Sequence, residues 1–506
     1  MLAAIRSAAV LGIDAYDVTV EVDVAQGLPQ FTIVGLAAGA VKESRERVCA
    51  ALVNAGLALP SRRITVNLAP ADRRKEGTAF DLPIALGALV ATGQLHPEAV
   101  TGIVAVGELG LDGCLRAMRG TLSIARHLAG RGSLLIVPPA NAAEAALVGG
   151  LAIAAPRTLG ELVLALRRRS LEPAAIAPAR LPSVGDDLDF ADVAGQVGAK
   201  RALEIAAAGG HNVLLIGPPG AGKTMLVRRL PTILPPLVES EALEVIAIHS
   251  VAGLLAVAGE WPGRPVRMPH HSVSAAGLIG GGSTPRPGEV SLAHHGVLFL
   301  DEMLEFPRHV LDALRQPLED GRVVIARAAM SVVFPARFAL VGAMNPCPCG
   351  RAGDPTGRCV CSLADIDRYR ARLSGPLADR IDMHVAVGAV PLDSLRADNG
   401  LERSSAIRAR VVAARERQRR RYAGHRGVGC NAHVGGRWLD MRARLQPEAR
   451  MLLVAAAERL ALSARAYHRV LKVARTIADL DGEESVTDAC IAEALRYRPA
   501  RATIDR

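Results

Sequence analysis

The chain has 506 residues, half of them apolar, 22% charged, with a formal net charge of +10 at pH 7. That length exceeds one hydrophobic core and that composition excludes a disordered chain, so two to four globular domains are expected. The most apolar stretch, 133–159, is broken by Pro138, Pro139, Asn141, Glu144 and Pro156, which excludes a membrane span. The N-terminus meets Asp14 without an export cleavage pattern, so the expectation is a cytoplasmic protein with no membrane partner. The arginine excess suits a polyanionic partner, nucleic acid above all, and fits the coding bias of a GC-rich genome equally well.

In chain order, strands are expected at 18–24, 31–35, 64–70, 103–109 and 133–138, and helices at 40–56, 79–93 and 122–130. Together they make an α/β domain over 1–168. Residues 169–188, rich in Pro, Ala and Asp, read as a linker. A second α/β unit occupies 189–390. Its runs 212–217, 296–302 and 337–345 are apolar on both faces, as in a parallel sheet covered by helices. From 391 to 506 the pattern is helical, with an Arg-rich stretch at 406–421 and amphipathic stretches at 447–461, 464–480 and 487–497, read as an all-α lid.

The segment Gly217-Pro218-Pro219-Gly220-Ala221-Gly222-Lys223-Thr224 follows a strand and opens a helix. Such glycines let backbone N–H groups face phosphates at a helix N-terminus. Lys223 would neutralise β- and γ-phosphate charge, and Thr224 would ligate Mg²⁺. Asp301 and Glu302 close the strand 296–302. The first acid would hold Mg²⁺ and the second would polarise the attacking water, since in-line attack on a γ-phosphate is mostly positioning and charge stabilisation. Asn345 ends the next strand, where a neutral amide would contact the γ-phosphate or the lytic water; a turn or cap before Pro346 is the plain alternative. ATP with Mg²⁺ is the implied cofactor pair.

Cys347, Cys349, Cys359 and Cys361 form two C-x-C pairs around a polar loop. Four thiolates match the ligand count of a structural Zn²⁺ site. The pairs are tighter than the usual C-x-x-C knuckle, so zinc, free thiols, a disulfide or an iron–sulfur cluster all stay open here. Bound metal would brace the adjoining Asn345.

The segments DFADVAGQVGAKRALEIAAAGGHNVLLIGPPGAGKT (189–224), GGGSTPRPGEVSLAHHGVLFLDE (280–302), VGAMNPCPCG (341–350), LSGPLADRIDMHV (373–385) and LSARAYHRVLKVARTIADL (462–480) resemble the magnesium-chelatase-like AAA+ ATPases, in particular the ComM/YifB type. The resemblance implies a ring, expected to be a hexamer, with ATP at subunit interfaces. It matches Arg380 to the arginine finger and Arg465 to the sensor-2 arginine, with Arg469 one helical turn later as a substitute; a guanidinium in the γ-phosphate field stabilises transition-state charge. It sets Asp192 to Gln196 near the adenine. It implies a Lon-protease-like N-terminal domain without catalysis: Ala79 stands in the nucleophile's place in Lys75-Glu-Gly-Thr-Ala79-Phe, and 107–125 contains no lysine. It further implies a DNA motor driving branch migration during recombination of DNA taken up in natural transformation, with single-stranded or branched DNA as partner. Residues 321–330 read as a basic β-hairpin bearing Arg322 and Arg327, 272–287 as a glycine-rich mobile loop, and Arg62, Arg63, Arg73 and Arg74 as a further DNA contact or a solvated loop. The aromatic content of 3% argues for backbone tracking by arginine over base stacking. The basic helix 403–426 reads as a solvated face. The rival functions are a magnesium-chelatase-type motor subunit and a protein-remodelling AAA+ ATPase.

Overall fold

The computed structural model describes residues 2–36, 38–176, 188–255, 261–282, 285–327, 330–353, 359–388, 402–425 and 427–498. Most of the expected linker, and the expected boundary at 391, lie outside them. The chain divides into two compact units, and two inner segments, Ala242–Pro262 and Ala326–Val333, cluster with the N-terminal one. Among the described residues no helix is long and apolar enough to cross a membrane.

The N-terminal unit is built on a seven-stranded sheet. Its order is Gln30–Val34, Arg63–Ala69, Asp14–Ala25, Leu2–Leu11, Ile103–Ala105, Leu134–Ile136, Ala152–Ala154. The long hairpin of Leu2–Leu11 and Asp14–Ala25 is antiparallel, and the three short strands beyond Leu2–Leu11 run parallel to it. Strict alternation of Val18, Val20, Val22 and Val24 inward explains why this hairpin pairs in one register. The helix Asp81–Ala91, buried along its whole length, covers it. Gly87 of that helix packs so closely that an added Cβ would lie 2.5 Å from Val22 Cγ2. The expected strand 103–109 proves to be two pieces, Ile103–Ala105 and Glu108–Leu109, and the expected helix 40–56 is broken between Gly39–Lys42 and Ser44–Asn54.

The second unit carries a five-stranded, all-parallel sheet ordered Val266–Arg267, Val297–Leu300, Ala339–Met344, Val213–Ile216, Met383–Ala386. Val297–Leu300 is buried at all four positions; side chains of this size contribute about 2 kcal/mol each on burial. One hydrophobic core joins the sheet to the helices Ser404–Arg421, Pro447–Arg459, Ala464–Asp481 and Asp488–Arg496. A buried polar network adds directional contacts: Asp479 accepts from Arg421, Arg475 and Asn431, and Asn431 also donates to Thr476.

Three expectations change. The basic helix 403–426 is not a simple solvated face: Arg410 pairs with Glu204 and Glu402, Arg415 donates to the Ala207 carbonyl at 2.8 Å, and Arg421 pairs with Asp479. Arg410 and Arg421 thus pair with acids, and Arg415 with a carbonyl, while Arg419 and Arg420 pair with Glu416 of the same helix. The segment 272–287 forms a short helix, Ala275–Ile279, and a two-stranded pairing of Gly280–Gly281 with Arg286–Pro287; Ser283 and Thr284 lie outside the described residues. The basic hairpin runs further than 330, pairing Arg322–Arg327 with Met330–Pro335.

Candidate nucleotide site

All five strands of the second unit's sheet point the same way, so their C-terminal ends form one edge. The strand Val213–Ile216 runs into the glycine loop, and the helix Lys223–Ile233 leaves it. Gly220 and Gly222 have φ of +77° and +86°, and an added Cβ on either meets nothing within 4 Å. The left-handed backbone selects glycine there, and both positions face open space.

A cavity of about 430 Å³ lies over this edge, lined by Pro219 to Met225, Asp301, Glu302 and Ala343 to Asn345. Thr224 Oγ1 donates to Asp301 Oδ2 at 2.7 Å. Lys223 Nζ donates to the carbonyls of Gly217 and Pro218 at 2.7 and 2.9 Å and to Asn345 Oδ1 at 3.2 Å. Burial lowers the Lys223 pKa from its ordinary value, against the opposing pull of Asp301 and Glu302. Glu302 sits at φ +48°, an uncommon place for a glutamate, and opens a short 3₁₀ turn at Met303–Glu305. Such strain persists where surrounding structure over-determines it; here it directs the side chain after Asp301 out of the strand's alternation. Lys223, Thr224, Asp301, Glu302 and Asn345 are thus brought to one cavity. Gln196 reaches the same loop, its Nε2 donating to the carbonyls of Ala221 and Gly388 at 3.0 and 2.7 Å, while Asp192 pairs with Arg229 at 3.0 Å.

Arg380 and Arg465 are not brought there. Both line a second cavity of about 590 Å³ with Arg469 and Lys472. Asn212 and Asp382 line it too; each immediately precedes a strand, Val213–Ile216 and Met383–Ala386, and Asn212 N donates to Asp382 Oδ2 at 3.0 Å. This cavity therefore sits at the N-terminal edge of the sheet, a strand length of roughly 13 Å from the glycine loop. Arg380 pairs with Glu319 and donates to the Pro376 carbonyl at 2.6 Å; Arg465 lies 3.7 Å from the other Glu319 oxygen; Arg469 pairs with Asp382 at 3.6 Å. Burial works against the Asp382 charge, but His211, Asn212 and Arg469 outweigh it and hold the carboxyl below its usual range. Glu319, Asp382 and Lys472 escape sequence reasoning because their partners are distant in the chain; only the charge-dense segment 379–382 hinted at Asp382.

The four cysteines converge. Cys347 Sγ lies 3.4 Å from Cys349 Sγ and 3.8 Å from Cys359 Sγ, Cys349 and Cys359 are 3.7 Å apart, and all four sulfurs fall within 4.8 Å of one another. Residues 354–358 of this loop lie outside the described residues. Backbone N–H groups of Val360 and Arg351 help hold the Cys349 thiol down to about 6. The loop abuts the nucleotide cavity: at Gly350, φ +79°, an added Cβ would lie 2.5 Å from Pro219 Cδ. Sequence placed these thiols beside Asn345; contact with the glycine loop was not visible in it.

The arginines expected as a DNA contact on the N-terminal unit do not form one patch. Arg62 and Arg63 stand at one end of the strand Arg63–Ala69, and Arg73 and Arg74 follow its other end, with Arg73 over the Tyr16 ring and Arg74 paired with Glu76.

A glycine loop between strand and helix, paired acids after a buried parallel strand and a polar residue ending the next define a P-loop nucleotide-binding protein of the AAA+ ATPase class. Three family models match in succession: "Subunit ChlI of Mg-chelatase" over 20–141, "Magnesium chelatase, subunit ChlI" over 189–395 and "Magnesium chelatase, subunit ChlI C-terminal" over 401–498. Competence protein ComM of Haemophilus influenzae is 45% identical over 503 residues, 98% of this chain and 97% of that one. YifB of Salmonella typhimurium is 43% identical over 500 residues, with the same two shares, 98% and 97%. The 38 kDa magnesium-chelatase subunit of Rhodobacter capsulatus is 31% identical over 180 residues, 31% of this chain and 50% of that subunit. The chain belongs to the ComM/YifB family of magnesium-chelatase-like proteins.

Proposed function

We propose that the protein is an ATP-driven DNA motor that works as a ring, a hexamer in this reading, and moves branched DNA during recombination of incoming DNA. The observation that carries it is that Lys223, Thr224, Asp301, Glu302 and Asn345 line a cavity at one edge of the sheet, and Arg380 with Arg465 line a cavity at the other. A chain so built completes its site only by lending its arginines to a neighbour. Repeated head to tail with a rotation that closes, that contact builds a ring.

ATP fits the first cavity. Gly220 and Gly222 leave room for phosphates, and Lys223 supplies positive charge at the loop. A hydroxyl and a carboxylate 2.7 Å apart are the hard oxygen donors that Mg²⁺ takes, leaving its other positions to water and phosphate. Thr224 and Asp301 would hold Mg²⁺, which would supply positive charge against the phosphates. Glu302 polarises the attacking water and Asn345 orients it. Arg380 and Arg465 of the adjacent copy meet the γ-phosphate.

Zn²⁺ fits the cysteine cluster. Tetrahedral thiolate at 2.3 Å from zinc places sulfurs ~3.8 Å apart, and the separations among Cys347, Cys349 and Cys359 run from 3.4 to 3.8 Å. Cys347, Cys349, Cys359 and Cys361 would hold the metal and fix the loop behind Pro219. Metal analysis of the purified protein is expected to give about one zinc per chain; less than about a tenth would remove the site.

The name of the Haemophilus relative, competence protein ComM, supports the link to incoming DNA. The hairpin bearing exposed Arg322 and Arg327 is read as the DNA-tracking element in the pore, and the C-terminal helices as the AAA+ lid. The N-terminal unit is read as a Lon-like module without catalysis: Ala79 lacks a nucleophile, and Lys75 is fully buried with its ammonium on the Pro70 carbonyl. The test is ATPase rate with and without single-stranded or branched DNA, followed by Holliday-junction movement. DNA is expected to raise the rate, with steep loss at high salt. An ATPase that DNA neither stimulates nor couples to junction movement would return the chain to the chelatase-type or protein-remodelling readings.

A further inference from the structure

Glu319 bridges Arg380 and Arg465 with one carboxylate. Its two carboxylate oxygens face two different guanidiniums: one pairs with Arg380, the other lies 3.7 Å from Arg465. These arginines come from separate elements, Arg380 following the turn Gly375–Ala378 and Arg465 on the helix Ala464–Asp481. An anion bridging two arginines is the arrangement a γ-phosphate adopts, supplied here from within the chain. Arg380 stays aimed without the carboxylate, because its Nη1 also donates to the Pro376 carbonyl at 2.6 Å. Its Nε is buried and has no hydrogen-bond partner among the described residues. The arginine is anchored, yet retains donor capacity.

The bridge is exchangeable. The Glu319 side chain is 53% exposed and that of Arg465 66%, so this half of the bridge is open to water and weak, while Arg380, 16% exposed, holds the same carboxylate more closely. A phosphate with greater charge and more acceptor oxygens competes well against a single carboxylate.

Glu319 also stands at the foot of the basic hairpin. It lies on the short helix Arg315–Asp320, Gly321 ends that helix at φ +64°, and the strand Arg322–Arg327 follows at once. The returning strand is tied to the same point: Ala336 N donates to the Gly321 carbonyl at 2.9 Å, and an added Cβ on Gly321 would lie 2.7 Å from Arg337 Cγ. Glu319, Gly321 and Arg337 all line the cavity that holds Arg380 and Arg465. Both feet of the hairpin therefore share a wall with the two arginines.

We propose that Glu319 is a positioning residue that holds Arg380 and Arg465 until the γ-phosphate on an adjacent copy displaces it, and that this displacement is transmitted to the base of the Arg322–Arg327 hairpin. No covalent step is involved; one anion replaces another on two fixed cations. The exchange links two sites through one element with two arrangements, as coupling requires. It rests on the ring-ATPase reading above and adds the residue by which nucleotide state reaches DNA.

The test compares the full-length wild type with Glu319→Gln and Glu319→Asp, measuring ATP turnover at several ATP concentrations with and without single-stranded DNA. Removing the competing charge is expected to lower the KM for ATP about fivefold, the low end for coupled sites, and to bring the ratio of DNA-stimulated to basal turnover close to one. Glu319→Asp keeps the anion and is expected to restore most of that ratio. Glu319→Ala, checked for native melting and assembly, guards against a specific defect of the amide. Unchanged KM and unchanged DNA stimulation in Glu319→Gln overturn the proposal, as does a parallel fall in both rates, which would mean Glu319 merely supports the fold. A wild type without ATP turnover would fail the underlying reading instead, and Lys223→Ala run alongside marks that baseline.

Discussion

Lys223→Ala is expected to abolish ATP turnover, and Glu302→Gln to leave a protein that binds ATP and does not cleave it. The two differ because the side chains meet the nucleotide at different moments. Lys223 is buried against Gly217, Pro218 and Asn345 and, among the described residues, holds the only ammonium on the cavity lining. Its loss removes charge that the phosphates need on binding and leaves the Asn345 amide without its donor. Removing one preorganised donor from developing charge costs about 10²–10³ in rate, and here ground-state binding falls as well. Glu302 makes no comparable contact within the loop; its left-handed backbone at φ +48° turns it away from the strand that ends at Leu300. The amide keeps size and shape but cannot draw a proton from water. Fluorescent-nucleotide binding and phosphate release, measured on both variants, separate the cases. Normal turnover in Glu302→Gln would move the water-activating role to another group.

What sequence made legible here, and what it left hidden, follows from the range of the forces involved. Val297–Leu300 reads as a buried parallel strand because four consecutive apolar residues admit no exposed face, and the structure buries all four. The glycine loop is equally plain, since positive φ at Gly220 and Gly222 is a local demand. Short or interrupted elements were harder. Ala152–Ala154 is three residues with two alanines and carries almost no β signal. The helix Leu159–Arg168 is not among the expected elements although its start is marked, Thr158 accepting from the Glu161 N–H at 3.1 Å. Charge was the least legible quantity. Arg410 and Arg421 of Ser404–Arg421 look solvated until Glu204 and Asp479, each far away in sequence, pair with them. Likewise no spacing rule shows that Arg380 and Arg465 share a carboxylate, or that both stand a strand's length from Lys223.

Arg380→Ala is expected to reduce ATP turnover of the assembled protein about 10³-fold, the low end for a lost arginine finger, while ATP binding stays near normal. In the proposed ring, removal of Lys223 is expected to act in the chain's own glycine loop and removal of Arg380 in the neighbour's. Each variant alone is therefore inactive for a different reason, and mixing them is informative. In a randomly mixed head-to-tail ring about a quarter of the interfaces join an intact Lys223 to an intact Arg380. Co-assembled Lys223→Ala and Arg380→Ala chains are expected to regain turnover well above either alone, and nucleotide should stabilise the mixed assembly in sedimentation. If both residues served one chain's own site, each chain would carry a lethal defect and mixing would restore nothing. Single-chain geometry already favours the first outcome. Arg380 and Arg465 open onto the cavity beside Asn212, before the strand Val213–Ile216 begins, whereas the glycine loop starts only after that strand ends. For both arginines to reach their own loop, the sheet between them would have to be dismantled, and with it the core that Leu215, Val341, Val385 and Ile477 build together.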